Sequence, residues 1–163
     1  MVQPLRLGRP RAEEGFAWGE LRIHAAYYVT DVAPPEELVS SVRAVVRCSD
    51  EVLVCRNPDA VHALPGGRRE PGESFEQTLR RELLEETGFE IQAPRPLGLA
   101  RLRPEGRSEF LWAVYVAESD GRRVAEPDDD YEEEARFVPA DEALALVDLP
   151  SRVYVEAALS DAG

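Results

Sequence analysis

LPGGRREPGESFEQTLRRELLEETGFEI, residues 64–91, carries the punctuation of one helix and the chemistry of one site. Ser74 and Gln77 have capping-box spacing, so the Ser74 side chain accepts from the Gln77 amide and Gln77 reaches back. Gly88 supplies a left-handed stop, and the spacing predicts a helix over 75–87. At about 100° per residue, Phe75, Leu79 and Leu83 form the apolar stripe. Glu86 lies three residues beyond Leu83 and seven beyond Leu79, so it projects from the face that packs inward, and Glu82 borders the same stripe.

A carboxylate at such an edge must be paired, protonated or bound to a cation, because burying it alone costs several kcal/mol. The placement also works against the helix. Glu82, Glu85 and Glu86 crowd its C-terminal half, where the macrodipole disfavours each by about 0.3–1 kcal/mol, and their spacing adds repulsion. Arg81 offsets Glu85 at i+4 but leaves an excess of negative charge. A solvated acidic face accounts for Glu85 and handles Glu82 and Glu86 poorly. Hard oxygen donors within one turn suit Mg²⁺ or Mn²⁺ when substrate phosphates complete the shell.

Working outward, odd positions Leu21 to Val29 alternate with polar ones as a half-buried strand, with His24 on its surface face. VSSVRAVVRC (39–48) and EVLVCR (51–56) read as a hairpin, and ALP (63–65) as a short strand entering the glycine turn. Strands are also expected at 89–92, 97–103, and 109–118, the last being apolar enough to be covered on both faces. ARFV (135–138) and two short helices close the chain, and the acidic run 126–134 reads as a solvated loop. Residues 1–16 lack periodicity and read as a mobile arm, 17–38 as an N-terminal strand extension, and 39–163 as the main domain. Strands and helices without regular βαβ alternation indicate an α+β layered fold.

The 163 residues, 44% of them hydrophobic, suffice for one core. All 19 basic residues are Arg, against 32 acidic ones, for a net charge of −13. Such a surface repels duplex nucleic acid and anionic membranes unless metal ions intervene. The opening residues lack an apolar core for export, and no apolar stretch approaches the roughly 18–20 residues of a membrane span, so a cytoplasmic protein is expected. A two-residue turn at Ser49-Asp50 would pair Cys48 with Glu51 and Cys55 with Ala44; both cysteines then read as buried free thiols.

The central segment resembles a Nudix box: Gly67, five residues, Glu73, seven residues, then Arg81-Glu82-Leu83, any residue, Glu85-Glu86, any residue, Gly88 and apolar Phe89. On this chain's own composition the seven fixed identities coincide by chance with a probability on the order of 10⁻⁵. The likeness extends over roughly residues 39–160 through the flanking strands and ARFVPADEALAL. It implies an α/β/α sandwich with a mixed sheet between helices, and a metal-dependent hydrolase that cuts a diphosphate linked to another moiety, usually a nucleoside diphosphate derivative. The rival is a binding or regulatory domain of the same fold without turnover, in which the box is typically eroded; an isoprenoid diphosphate isomerase departs from this glutamate pattern.

Carried over onto this chain, the resemblance makes Glu82, Glu85 and Glu86 ligands of Mg²⁺ or Mn²⁺, Arg81 the cation that orients them, and Glu73 the glutamate that assists. Gly66 and Gly67 would lie at the substrate, with Gly67 letting the backbone approach the helix. Arg56 stands where relatives place a phosphate-holding base. Glu133 and Glu134 precede Phe137 where some relatives carry a loop glutamate that joins the metal shell or acts as general base; Glu134 is the candidate catalytic residue of this loop, and the base stays open between the box and the loop. His62 could line the substrate pocket but reads first as an ordinary strand residue, and Trp112 and Tyr115 read as core. Pro104, fifteen residues beyond Phe89, resembles the marker proline of ADP-ribose hydrolysing relatives, a slight lean in substrate. The partner expected is a small phosphate anhydride, and the strand at 21–30 is placed to extend the sheet or to pair across a homodimer axis.

The charge balance generates a first prediction. At physiological salt the chain leaves random duplex DNA unshifted in an electrophoretic assay, because it has nothing with which to displace counterions. Salt-sensitive sub-micromolar binding would overturn it.

Overall fold

The computed structural model describes residues 4–160. The predicted helix forms as α1, Phe75–Thr87. Ser74 Oγ accepts from the Gln77 N–H at 3.1 Å, and Gln77 Oε1 accepts from the Ser74 N–H at 2.8 Å. Gly88, at φ 77°, ends the helix by donating its N–H to the Leu84 carbonyl. Leu79 and Leu83 are fully buried, each contributing roughly 1.5–3 kcal/mol relative to exposure.

The strands are β1 (Ala12–Trp18), β2 (Leu21–Val29), β3 (Val39–Cys48), β4 (Glu51–Arg56), β5 (Val61–His62), β6 (Gly66–Gly67), β7 (Gln92–Pro104), β8 (Phe110–Glu118) and β9 (Glu134–Pro139). They join one mixed sheet in the order β1-β2-β7-β8-β3-β4-β5, with β6 on β3 and β9 on β4. Only β3 and β8 pair in parallel among these strands. The apolar run of β8 lies between β7 and β3 and is covered on both faces. Leu111, Ala113 and Ala117 join the core under α1, while Val114 and Val116 join the core under α2 (Ala140–Leu146) and α3 (Leu149–Ser160). The fold is the α/β/α sandwich that the resemblance implies.

The feature that positions the site is a split between β3 and β4. Their hairpin pairs Cys48 with Glu51 and Arg47 with Val52, and the ladder between the two strands ends there. The segment 61–67 enters the gap: Cys55 pairs with His62 on one side, and Arg43 with Gly66 on the other. Cys55 therefore faces His62 and, across β9, Ala135, rather than Ala44, whose N–H bonds the Pro65 carbonyl at 3.0 Å. Residues 63–65 link β5 to β6 instead of forming a strand themselves, since β6 takes the ladder on β3. Cys55 is buried and Cys48 half-buried, and both are free thiols. A Cβ on Gly66 would lie 2.0 Å from the Val42 carbonyl oxygen, so only glycine permits this approach.

Two further differences from the sequence reading have local causes. Phe89 makes an isolated bridge to Arg123, and β7 begins at Gln92, running through two irregularities to Pro104. Residues 12–16, inside the aperiodic stretch read as an arm, belong to β1, which pairs with β2 along its length, and Tyr27 donates to Glu14 at 2.5 Å. Backbone pairing supplies that order without side-chain periodicity. Leu5 and Leu7 pack against the core on the α1 face. Both edges of β2 are taken, by β1 and β7, so it extends the sheet.

The helix ends generate a contrast that urea unfolding checks. Ser74→Ala costs about 1 kcal/mol through the lost cap. Gly88→Ala costs more than about 2 kcal/mol, because a left-handed alanine is strained and its Cβ would meet the Ala125 carbonyl oxygen at 2.2 Å. Equal losses would show that the close approach is easily relieved.

Candidate active site

α1 presents its acidic edge to the glycine turn. Glu86 Oε2 accepts the Gly66 N–H at 3.0 Å. Burial pushes the Glu86 carboxyl up to about 8, with Glu132 and Glu82 adding to the rise against the Gly66 bond and the charge of Arg43. The Glu82 carboxylate occupies the place a Cβ on Gly67 would take, 2.5 Å away, which is why this position is glycine. Burial raises Glu82 as well, although Arg81 Nη1 donates to it at 2.9 Å. Glu85 stays half exposed beside Arg81, at 3.3 Å, while its carbonyl accepts the Asp128 N–H.

Arg81 is the hub of this edge. Besides Glu82 and Glu85 it donates from Nε and Nη2 to Glu73, at 2.7 and 2.9 Å, and from Nη2 to the Arg68 carbonyl at 3.0 Å. Those Arg81 bonds, followed by the Glu70 N–H, hold Glu73 down at about 2. Glu73 also accepts from Thr78 Oγ1 at 3.1 Å, so its oxygens are occupied in fixing Arg81.

The acidic loop differs from a solvated run. Glu132 turns inward with its side chain only 6% exposed. Its Oε1 accepts from Asn57 Nδ2 at 3.1 Å and meets His62 Nε2 at 2.9 Å, whereas Oε2 is buried without a partner. Burial raises Glu132, but the His62 and Asn57 contacts and the charge of Arg43 outweigh it and bring it below the usual carboxylate value. Glu134 instead pairs with Arg56 at 3.2 Å and Arg136 at 3.1 Å, and Glu133 with Arg56 at 3.1 Å. Arg43 stacks 4.3 Å above Trp112 and donates to the Ser41 hydroxyl and the Leu64 carbonyl. Trp112 is thus half-buried beneath a cation.

A cavity of about 350 Å³ opens among Glu86, Arg123, Asp129, Glu132, Glu133 and Glu134. Carboxylates outnumber cations around it, and the bare Glu132 oxygen has no protein donor. Such a set of hard donors fits Mg²⁺ or Mn²⁺. Cys55, His62 and Glu132 also offer ligand atoms within 4.8 Å of one another. However, His62 Nδ1 accepts the Leu64 N–H at 3.2 Å, so the ring proton sits on Nε2 and faces Glu132. A ligating imidazole presents a bare nitrogen and donates from the other, the reverse of this arrangement.

The structure thus gathers Glu82 and Glu86 with Gly66 and Gly67, keeps Arg81 and Glu73 behind them, and leaves Glu85, Arg56 and Glu134 at the exposed rim. Sequence reasoning missed Glu132, Asn57 and Arg43, and took His62 for an ordinary strand residue. Asn57-Pro58-Asp59 is a recognisable turn, but nothing in the run Glu132-Glu133-Glu134 marks which carboxylate turns inward.

The raised Glu86 carboxyl predicts a pH dependence in chelator. Between the ordinary value of 4.5 and about 8, Glu86 is protonated when folded and ionised when unfolded. The unfolded chain binds fewer protons, so stability falls as pH rises through this interval. Glu86→Gln removes that loss: its advantage over the parent in thermal unfolding grows from pH 5 to 8, reaching about 1–3 kcal/mol. A pH-independent difference would contradict the assignment.

The NUDIX domain family matches residues 37–157. A curated relative from Bacillus subtilis (strain 168), named for 8-oxo-dGTP diphosphatase, is 38% identical over 66 residues, covering 40% of this chain and 44% of the relative. The match therefore spans less than half of that relative's length. Among solved structures, a variant of the Bacillus subtilis pyrophosphohydrolase BsRppH aligns with TM-score 0.60 and 20% identity, over 71% of this chain and 72% of that one. A NUDIX hydrolase from Nitrosomonas europaea gives 0.63 and 22%, over 76% and 89%. The NUDIX domain of Shewanella oneidensis NrtR, in complex with ADP ribose, gives 0.62 and 18%, over 77% and 88%. These structures share the fold, and the family match covers the box, the split hairpin and the acidic loop together: the chain belongs to the Nudix family.

Proposed function

We propose that the chain is a divalent-cation-dependent hydrolase that cleaves the diphosphate link of a nucleoside diphosphate derivative. The observation that carries this reading is that Glu86 and Glu132 line one cleft, with Glu82 close enough to Glu86 to act on its charge and Glu132 Oε2 buried and unpartnered. The names of the relatives point to the same chemistry. ADP-ribose-like compounds, to which Pro104 lends a slight preference, head the substrate panel, followed by 8-oxo-dGTP.

Glu82 and Glu86 would hold the cation, and Glu85 stands beside them at the rim. When bound, Mg²⁺ or Mn²⁺ neutralises diphosphate charge and acidifies water, turning an acidic groove into an anion site. Arg81 keeps Glu82 in place, and Glu73 keeps Arg81 in place, so Glu73 acts as a positioning residue. Arg56 would exchange Glu133 and Glu134 for a substrate phosphate. In hydrolysis the water oxygen bonds to one phosphorus and the bridging oxygen leaves with its phosphate. Glu132 takes the proton through Oε2, an assignment we prefer to Glu134 because Glu134 is engaged by Arg56 and Arg136.

Phosphate release from the panel with and without Mg²⁺ tests the reading. Chelation abolishes turnover; Glu82→Gln and Glu86→Gln lower kcat at least about 100-fold, and Glu132→Gln at least about tenfold, while Glu134→Gln stays within about threefold. No hydrolysis of any panel member with Mg²⁺ would sink the enzyme reading. A severe Glu134→Gln with a mild Glu132→Gln would reverse the loop assignment.

A further inference from the structure

The turn at Asn57 and the short strand β5 meet the distant acidic loop at Glu132, and the direction of each hydrogen bond there is determined. Asn57 Oδ1 accepts the N–H groups of Asp59 at 2.9 Å and Ala60 at 2.8 Å, so the oxygen of this amide points into its own turn. Its NH₂ is thereby turned to Glu132 Oε1 at 3.1 Å. The Leu64 N–H on His62 Nδ1 leaves the ring proton on Nε2, which donates to the same Oε1. Both donors thus converge on one oxygen of a side chain that is 6% exposed. The His62 segment is itself fastened: Ala63 N–H donates to Ser151 Oγ at 2.9 Å and Asp148 N–H to the Val61 carbonyl at 3.1 Å, tying β5 to the start of α3.

Two donors on one oxygen make the two oxygens of this carboxylate inequivalent. A carboxylate has about four lone-pair sites, and a buried one left with an empty oxygen forfeits hydrogen bonding that folding alone would have filled. Resting on the reading above, we propose that Asn57 and His62 are positioning residues: they saturate Glu132 Oε1 and fix the side-chain rotamer so that Oε2 is left bare as the proton acceptor. Hydrogen bonds to the ionised form keep it charged without competing for the reactive oxygen. The sequence hides this arrangement because its members lie in a turn, a two-residue strand and an acidic run, none periodic.

The first test needs no turnover. Nitrogen-15 NMR of the metal-free full chain reads the ring tautomer, with the exposed His24 assigned by His24→Gln. Protonated Nε2 and bare Nδ1 on His62 are expected, and an Nδ1–H tautomer would overturn the proposal. The second test is kinetic, on the best panel substrate. Asn57→Asp keeps the Oδ1 acceptor of the turn and replaces the donor with a carboxylate; His62→Leu removes the other donor. Each is expected to lower kcat about tenfold or more with KM within about twofold, and His62→Gln, which retains a donor, to recover most of the loss. In a Glu132→Gln background His62→Leu should cost nothing further. Glu132→Gln with full turnover would remove the loop assignment and this inference with it. An impaired Glu132→Gln on which His62→Leu acts undiminished would overturn the inference alone.

Discussion

Everything at the site depends on the insertion of residues 61–67 between β3 and β4. A hairpin that stayed paired would seal the gap with its own ladder; here β3 gives its hydrogen bonds to Pro65, Gly66 and Gly67, and β4 gives part of its own to Val61 and His62. The inserted segment consequently touches both halves of the cleft. Its glycines let α1 approach close enough for the Gly66 N–H to reach Glu86 and for the Glu82 carboxylate to lie against Gly67. Its histidine reaches the acidic loop from below. Steric permission at two glycines and the directionality of backbone hydrogen bonds thus arrange carboxylates from α1 and from the loop 126–134 around one space.

That space is arranged against the interests of folding. Arg81 is shared among Glu73, Glu82 and Glu85, and Arg43, whose charge acts on both Glu86 and Glu132, has its own charge disfavoured by burial. The guanidinium is held by Ser41, the Leu64 carbonyl and the face of Trp112, with no carboxylate of the described residues in ion-pair contact. It lowers the potential cost of Glu86 and Glu132 without forming an ion pair that would occupy their oxygens. Negative charge concentrated on one helix edge, only partly offset by Arg81, is what a site kept for function looks like in energetic terms.

Much of this was legible in the sequence because short-range rules governed it. The cap at Ser74, the stop at Gly88, the stripe of Leu79 and Leu83 and the misplaced Glu82 and Glu86 are all spacings within one helix, and the structure has the helix at its expected ends. β8 was legible from its apolar run. What was not legible is long-range: the wedge that replaces the Cys55–Ala44 pairing, the strand order at residues 12–16, and the choice of Glu132 over Glu134 as the inward carboxylate. Alternation places Glu132 and Glu134 on the same side of an extended chain, so sequence cannot separate them. The separation comes from β9, which begins at Glu134 and commits that residue to the register opposite Arg56, leaving Glu132 two residues outside the ladder and able to turn.

Glu86 and Glu132 finally illustrate how one cleft sets two identical functional groups apart. Both are largely buried, and burial raises both. Glu86 has one backbone N–H and a distant Arg43 to oppose that rise, and it ends at about 8. Glu132 has two side-chain donors in contact and ends below its ordinary value. At neutral pH the cleft without a cation therefore contains a protonated carboxyl facing an ionised one, which spares the chain the repulsion of two adjacent charges. Filling the cleft with positive charge reverses the balance at Glu86 alone, since Glu132 is already ionised. The difference arises from the deeper burial of Glu86 together with the side-chain donors that contact Glu132, and opposed environments of this kind are how a single residue type comes to hold two roles in one site.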